Sequence, residues 1–218
     1  MATYQQEFIE FALECEVLRF GEFTLKSGRQ SPYFFNAGLF NSGAKLLRLG
    51  RFYAQTLEAS GVDYDMLFGP AYKGIPLVAT TVNALAERHG RDVPFAFDRK
   101  EAKDHGEGGV IVGSPLENRV VVVDDVISSG LSMRYSAELI EQAGARLAAL
   151  CIALDRQEVG QQGVSAVQEI EQLFAVPVVA VINLDQLCHY LSGRPEFANE
   201  LRKMDDYRQR YGVNSGSL

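Results

Sequence analysis

Apolar positions along the chain switch between two periods, and the switches mark the elements. Over residues 3–17, Phe8, Ile9, Ala12 and Leu13 recur at helical spacing and predict an amphipathic helix. Residues 18–26 (LRFGEFTLK) alternate apolar and polar with a slip at Gly21, the pattern of a strand pair with a turn or bulge. SGRQSP reads as loop and PYFFNAGLF as a short aromatic strand. A helix is predicted over 44–60, with Leu46, Leu49, Tyr53 and Leu57 on one stripe and Gly61 at its end. A strand over 64–68 runs into GPAYKGIP, and a helix follows from about Pro76 to Gly90. Residues 93–97 form another strand, RKEAKDHGEGG then breaks all periodicity, and 110–116 reads as a small return strand.

The stretch over 120–132, VVVVDDVISSGLS, is the strongest local signal. Four consecutive valines do not alternate, so they predict a strand buried on both faces. It ends in Asp124 and Asp125, small hydroxyl residues and Gly130, and a helix over 131–143 with Gly144 as its cap comes next. A second fully apolar strand over 147–154 ends in DRQE. A helix over 163–174 and a strand over 178–182 follow, Asn183 caps the next helix, and a last amphipathic helix spans 195–211. Strands separated by helices from 64 to 182 specify an α/β fold, a parallel sheet flanked by helices on both faces. The opening section, about residues 1–40, is antiparallel-like and aromatic, and reads as a small N-terminal hood over one end of the sheet within a single domain spanning 1–218.

Composition narrows the class. The 218 residues suffice for a core that buries roughly 70% of the unfolded surface. The net charge is −7 with no basic run, which argues against a nucleic-acid or anionic-membrane partner while leaving room for a local cationic pocket. Cys15, Cys151 and Cys188 form neither a metal-spaced set nor an even disulfide framework, so a reducing cytoplasm is expected. No apolar run approaches membrane-span length.

In a parallel sheet, ligands bind beyond the carboxyl ends of the strands. Four such ends carry the unusual residues: GPAYKG, DRKEAKDHGEGG, DDVISSG and DRQE. In GPAYKG, backbone N–H groups and Lys73 suit a phosphate or diphosphate, although a tight turn with a solvated lysine has the same pattern. Ser128, Ser129 and Ser132 beside a helix start suit a phosphate monoester, and a capped strand-to-helix turn is the plainer reading. Asp124 and Asp125 repel phosphate and better suit sugar hydroxyls, a carbocation or a magnesium shell. RKEAKDHGEGG, with Arg99, Lys100, Lys103 and His105, reads either as a solvated loop or as a lid that brings cations onto a departing polyanion.

Taken together in order, FTLKSGR, SPYFFN, GPAYKG, RKEAKDHGEGG, VVVVDDVISSGLS and LDRQE resemble the orotate phosphoribosyltransferases of the type I phosphoribosyltransferase family. The resemblance implies that family's fold and roles position by position. Lys26 would contact the diphosphate donor and lie near orotate, and Phe34 with Phe35 would stack on or enclose the orotate ring. Tyr72 and Lys73 would bind diphosphate, in a loop that in this superfamily often holds a strained peptide bond. Arg99, Lys100, Lys103 and His105 would close over the diphosphate, some of them reaching into the neighbouring subunit of a homodimer. Asp124 and Asp125 would hold the ribose hydroxyls, while Val126, Ile127, Ser128, Ser129, Gly130, Leu131 and Ser132 would wrap the 5-phosphate. Ser128 and Arg156 would read the base, Arg156 by its fork on a carboxylate or carbonyl. The family commonly has Thr-Ala-Gly-Thr where this chain has Ser128, Ser129, Gly130 and Leu131, so at Leu131 the grip falls to backbone donors.

The implied reaction joins orotate to the ribose of 5-phosphoribosyl 1-diphosphate, with Lys103, His105, Asp124 and Asp125 as the catalytic set. Magnesium would ride on substrate oxygens without a dedicated protein site. Two other readings use the same fold: a regulator that binds the donor without turnover, and a transferase acting on a purine. The lid cations and the absence of a basic patch weigh against the first, and Lys26, Phe34, Phe35 and Arg156 against the second.

Overall fold

The computed structural model describes residues 1–25, 27–103, 109–127, 130–160 and 163–213. Helix α1 (Thr3–Glu14) leads into the antiparallel pair β1 (Leu18–Thr24) and β2 (Gln30–Phe35), and a 3-10 turn over Ala37–Leu39 ends the section. The slip at Gly21 is a register shift between Phe20 and Phe23 within β1, not a turn between two strands. SGRQSP is a shorter loop than expected, because β2 already begins at Gln30 and pairs it with Thr24.

The chain continues through α2 (Gly43–Ser60), β3 (Met66–Gly69), α3 (Gly74–His89), β4 (Phe95–Lys103), β5 (Gly109–Gly113) and β6 (Arg119–Val123). It then runs through α4 (Leu131–Gln142), β7 (Arg146–Asp155), α5 (Ala166–Phe174), β8 (Val178–Asn183), α6 (Leu184–Ser192) and α7 (Ala198–Tyr211). Polar caps set several boundaries. Ser42, Ser165 and Asn183 each accept a backbone N–H in the first turn of the helix that follows, satisfying a donor with no partner inside the helix. RKEAKDHGEGG does not break periodicity at its start: β4 runs on through Lys103 and pairs with β5 as a hairpin.

The six-stranded sheet has the order β5-β4-β3-β6-β7-β8, parallel except for the antiparallel edge strand β5. The four valines of β6 divide between its faces. Val121 and Val123 pack with Leu49, Tyr53, Leu77 and Val78 from α2 and α3, whereas Val120 and Val122 pack with Met133, Ile140 and Ile170 from α4 and α5. Helices on both sides are therefore what makes the run uniformly apolar. The chain leaves β3 towards β4 on one side and returns to β6 on the other. The β3/β6 boundary is thus the switch point, where the diverging connections leave a crevice at the carboxyl edge. At the opposite edge, Arg119 grips Asp65 through Nε at 2.8 Å and Nη2 at 3.0 Å, tying the starts of these two strands together. Those hydrogen bonds hold the Asp65 carboxyl down at about 2.

Candidate functional site

Two loops leave the switch point side by side. The first, GPAYKG, turns between β3 and α3 with almost no room. A Cβ on Gly69 would stand 2.2 Å from the Gly74 carbonyl oxygen, and one on Gly74 would stand 2.5 Å from Pro70 Cδ. Only glycine fits at either end of this turn. The Ala71–Tyr72 peptide is cis, and the Ala71 N–H donates to Asp98 Oδ1 at 2.5 Å. Asp98 is buried on β4, so the neighbouring strand clamps the loop through a carboxylate. Tyr72 and Lys73 are left pointing outward, Tyr72 being 66% exposed. Lys100 Nζ lies 5.1 Å from the Tyr72 ring centre, which brings two of the expected diphosphate residues together. Arg99, the residue before it on β4, is half-buried.

The second loop follows β6. Asp124 N–H donates to Cys151 O at 3.0 Å and Ala153 N–H donates to Asp125 O at 2.9 Å, so β7 fixes the backbone of the acid pair. The Tyr53 hydroxyl, from α2, donates to Asp124 O at 2.9 Å. The side chains are held as well. Asp124 Oδ1 accepts the Asp125 N–H at 2.8 Å, Asp125 Oδ1 accepts the Val126 N–H at 2.9 Å, and the Ser132 hydroxyl reaches Asp124 Oδ2 at 3.5 Å. Burial, and next the neighbouring Asp125 carboxylate, push the Asp124 carboxyl up to about 7.

Lys73 Nζ meets Asp125 Oδ2 at 2.6 Å and joins the two loops. Asp125 is nearly enclosed while Lys73 stays more than half exposed, so the lysine can exchange this partner for an incoming anion. Beyond the acids, Val126 packs against one core and Ile127 against the other, anchoring the loop on both faces of the sheet. Gly130, at φ +71°, turns the chain into α4, whose first turn has no side-chain cap. Its first-turn N–H groups, which have no acceptor inside the helix, lie at its positive end and suit a phosphate. Leu131 is 70% exposed, and the hydroxyl missing there leaves the backbone donors of the helix in place.

At the far end of the cleft, β7 delivers Arg156. Its Nε and Nη2 donate to Glu158 Oε1 at 2.9 and 2.6 Å, and its guanidinium lies 4.4 Å from the Tyr33 ring centre. Burial works against the charge, but Tyr33 and Glu158 outweigh it and raise the pKa of Arg156. Tyr33 and Phe34 are consecutive on β2, and side chains alternate along a strand. Phe34 therefore faces away from Tyr33 and stacks on Phe23 at 5.4 Å, while Phe35 leans towards Phe8 in the core at 6.5 Å. The two phenylalanines do not present one joint surface.

Lys26, His105, Ser128 and Ser129 lie outside the described residues, as does the side chain of Lys103, whose backbone pairs with Gly109. Among the described residues no cluster of three or more His, Cys, Asp or Glu side chains is arranged to hold a metal. Four groups with clear positions at the site received no role from the sequence. Asp98, Tyr33 and Glu158 sit inside motifs that were singled out for other residues, and Tyr53 is hidden in the apolar stripe of α2.

Comparison with known proteins agrees with this geometry. Residues 39–181 match the model of the phosphoribosyl transferase domain family. The chain is 62% identical over 213 residues to an orotate phosphoribosyltransferase of Cronobacter sakazakii, covering 98% of this chain and 100% of that one. It is 60% identical to the enzyme of the same name from Methylococcus capsulatus, with the same coverage. The crystal structure of an orotate phosphoribosyltransferase from Francisella tularensis superposes with a TM-score of 0.86 at 47% identity, covering 94% of this chain and 99% of that one. Full-length identity at this level, on the fold and crevice described above, means that this chain belongs to the orotate phosphoribosyltransferase family.

Proposed function

We propose that this chain transfers the 5-phosphoribosyl group from 5-phosphoribosyl 1-diphosphate to orotate, giving orotidine 5′-phosphate and diphosphate in de novo pyrimidine synthesis. The observation that carries the reading is the Lys73–Asp125 contact at the switch point, which puts a more than half-exposed cation beside a hydrogen-bonded pair of carboxylates. Breaking the donor's C1–O bond leaves positive charge on the ribose ring and negative charge on diphosphate. With donor bound, Lys73 moves from Asp125 to the diphosphate, and the freed carboxylate takes a ribose hydroxyl. Asp124 and Asp125 then hold the ribose and face the charge that develops on its ring. Tyr72, Lys73, Arg99 and Lys100 line the diphosphate side, and Lys103 and His105 close over it.

The amides at the start of α4 and the loop from Val126 to Ser132 take the 5-phosphate. Lys26, Ser128, Arg156 and the backbone of Phe34 and Phe35, whose side chains diverge, receive orotate, which is anionic at neutral pH and needs no strong protein base. Residues of the N-terminal section, about 1–40, act as the hood over this end within one domain spanning the whole chain.

Magnesium fits the donor set. Two adjacent carboxylates, Asp125 buried and Asp124 half-buried, suit a small cation, and magnesium prefers one or two carboxylates plus substrate phosphates to an all-protein cage. Asp124 and Asp125 would hold it together with substrate oxygens, and it would supply neutralisation of charge developing on the diphosphate. The protein works as a homodimer whose lid, about residues 99–109, is shared across the interface. A cytoplasmic location fits three unbridged thiols, and no described helix is long and apolar enough to cross a membrane. Neither a nucleic acid nor a membrane is a partner. Mixing protein, magnesium, orotate and donor and following orotate absorbance tests the reaction. Loss of absorbance with release of diphosphate is expected, and unchanged absorbance with active donor overturns it.

A further inference from the structure

We propose that Glu158 is a positioning residue that decides which edge of Arg156 meets the base; this rests on the reading of Arg156 as the base-binding arginine. A guanidinium carries five N–H donors in one plane, so occupying one edge dictates the other. Glu158 Oε1 takes both Nε and Nη2 of Arg156. The group left for a ligand is Nη1, which makes no hydrogen bond among the described residues; the second hydrogen of Nη2 already goes to Ser31 Oγ. The Nε-side fork is already taken.

Two further contacts remove the remaining freedom. Tyr33 lies over the guanidinium plane and its hydroxyl reaches the same Glu158 oxygen at 3.4 Å, while Ser31 Oγ accepts from Arg156 Nη2 at 3.5 Å. Glu158 is itself anchored. Its other carboxylate oxygen lies 3.5 Å from Arg29 Nη1. Arg29 in turn donates to Val159 O at 2.8 Å and lies 4.8 Å from the Tyr211 ring centre. Glu158 bridges to Gly212, and Val159 N–H donates to Tyr211 O at 2.8 Å. The orientation of one arginine thus depends on β2, the β7 loop and the end of α7 together.

Stability alone does not account for the arrangement, because a buried ion pair replaced by apolar groups is often neutral. Charge balance makes the test sharp. Arg29 and Arg156 share one carboxylate, leaving the cluster net positive. If Glu158 only neutralised charge, removing it would strengthen binding of anionic orotate. Positioning demands the reverse.

The experiment compares orotate KM, donor KM and kcat for wild type, E158Q and R156A, with thermal melts of each. E158Q is expected to raise orotate KM roughly tenfold, as for loss of a charged hydrogen bond, while kcat and donor KM stay near wild type. R156A should raise orotate KM at least as much. An orotate KM in E158Q that is unchanged or lowered, with R156A impaired, overturns the role of Glu158 and leaves that of Arg156 standing. An unchanged orotate KM in R156A overturns the base-reading assignment itself. If E158Q does not fold, E158D is read by the same criterion, since it keeps the charge but shortens its reach.

Discussion

The Lys73–Asp125 end of the cleft and the Arg156–Glu158 end differ in how they are assembled. At the donor end, each loop is a short continuous motif leaving one strand, and adjacent strands hold the two loops in place through backbone and buried carboxylate contacts. At the base end, Arg156 is oriented by Tyr33 from β2 and by Glu158, whose supports come from Arg29 and the end of α7. Charge follows the same division. The donor end pairs acids with a lysine more than half exposed, which can leave, whereas the base end buries an arginine against a carboxylate that cannot. Groups that bind a substrate common to many transferases can come from one βα unit each. A selective pocket needs side chains from distant elements, because no single loop surrounds a planar base.

The largest effects should come from the donor end. Asp125→Asn leaves Lys73 without its charged partner and removes a ribose acceptor, so kcat/KM should fall about 10²–10³-fold, comparable to losing one preorganised oxyanion donor. Steady-state rates with both substrates varied check this, and a loss under tenfold would make the pair structural. Lys103→Ala should lower turnover far more than donor affinity if the proposed lid acts on developing charge. Mixing that variant with one lacking both the Asp124 and Asp125 carboxylates should restore part of the activity if the lid crosses a homodimer interface, and no recovery in verified mixed dimers would make each site self-contained.

Asp98→Ala should have an intermediate effect confined to the same end. It leaves the part-buried Ala71 N–H without its acceptor, costing about 1–3 kcal/mol. Donor KM should rise roughly tenfold with orotate KM unchanged, the mirror image of the Glu158 variant. Equal changes in both constants would erase the distinction between the two ends.

The smallest effect is one of pH. Asp124 has a folded pKa raised to about 7, above its unfolded value near 3.9, so the native state binds the extra proton. Its contribution to stability is complete below pH ~3.9 and is lost as pH rises through about 7. Asp124→Asn keeps an acceptor for the Asp125 N–H and has no charge to bury. In the absence of ligands its melting temperature should exceed that of wild type by about 5 °C at pH 8, at roughly 2–4 °C per kcal/mol, with the gap closing towards pH 4. A gap independent of pH would contradict the titration.

Much of the donor end was legible because its signals are local. Val120 to Val123 announced a strand covered on both faces, and the acids, Gly130 and the helix start followed within a few residues. The β4 extension was not legible. Arg99 to Lys103 looks like a charged loop, and only the pairing of Asp98 with Ile111 and of Lys103 with Gly109 makes it a hairpin. Asp98 and Glu158 stood inside quoted motifs without roles, since nothing in a sequence tells a surface carboxylate from one buried against a loop amide or an arginine.

By itself, the sequence determined the βα alternation, the gathering of unusual residues at strand ends and the family resemblance, because period, turn chemistry and contiguous motifs are properties of neighbouring residues. The tertiary structure decided which loops share the switch point, that Lys73 closes on Asp125, that Phe34 and Phe35 diverge, and which edge of Arg156 is left free. The first two rest on contacts between segments 52 residues apart, set by sheet order; the phenylalanines diverge through separate contacts with β1 and α1, and the edge of Arg156 rests on Glu158 beside it and on Ser31, 125 residues away.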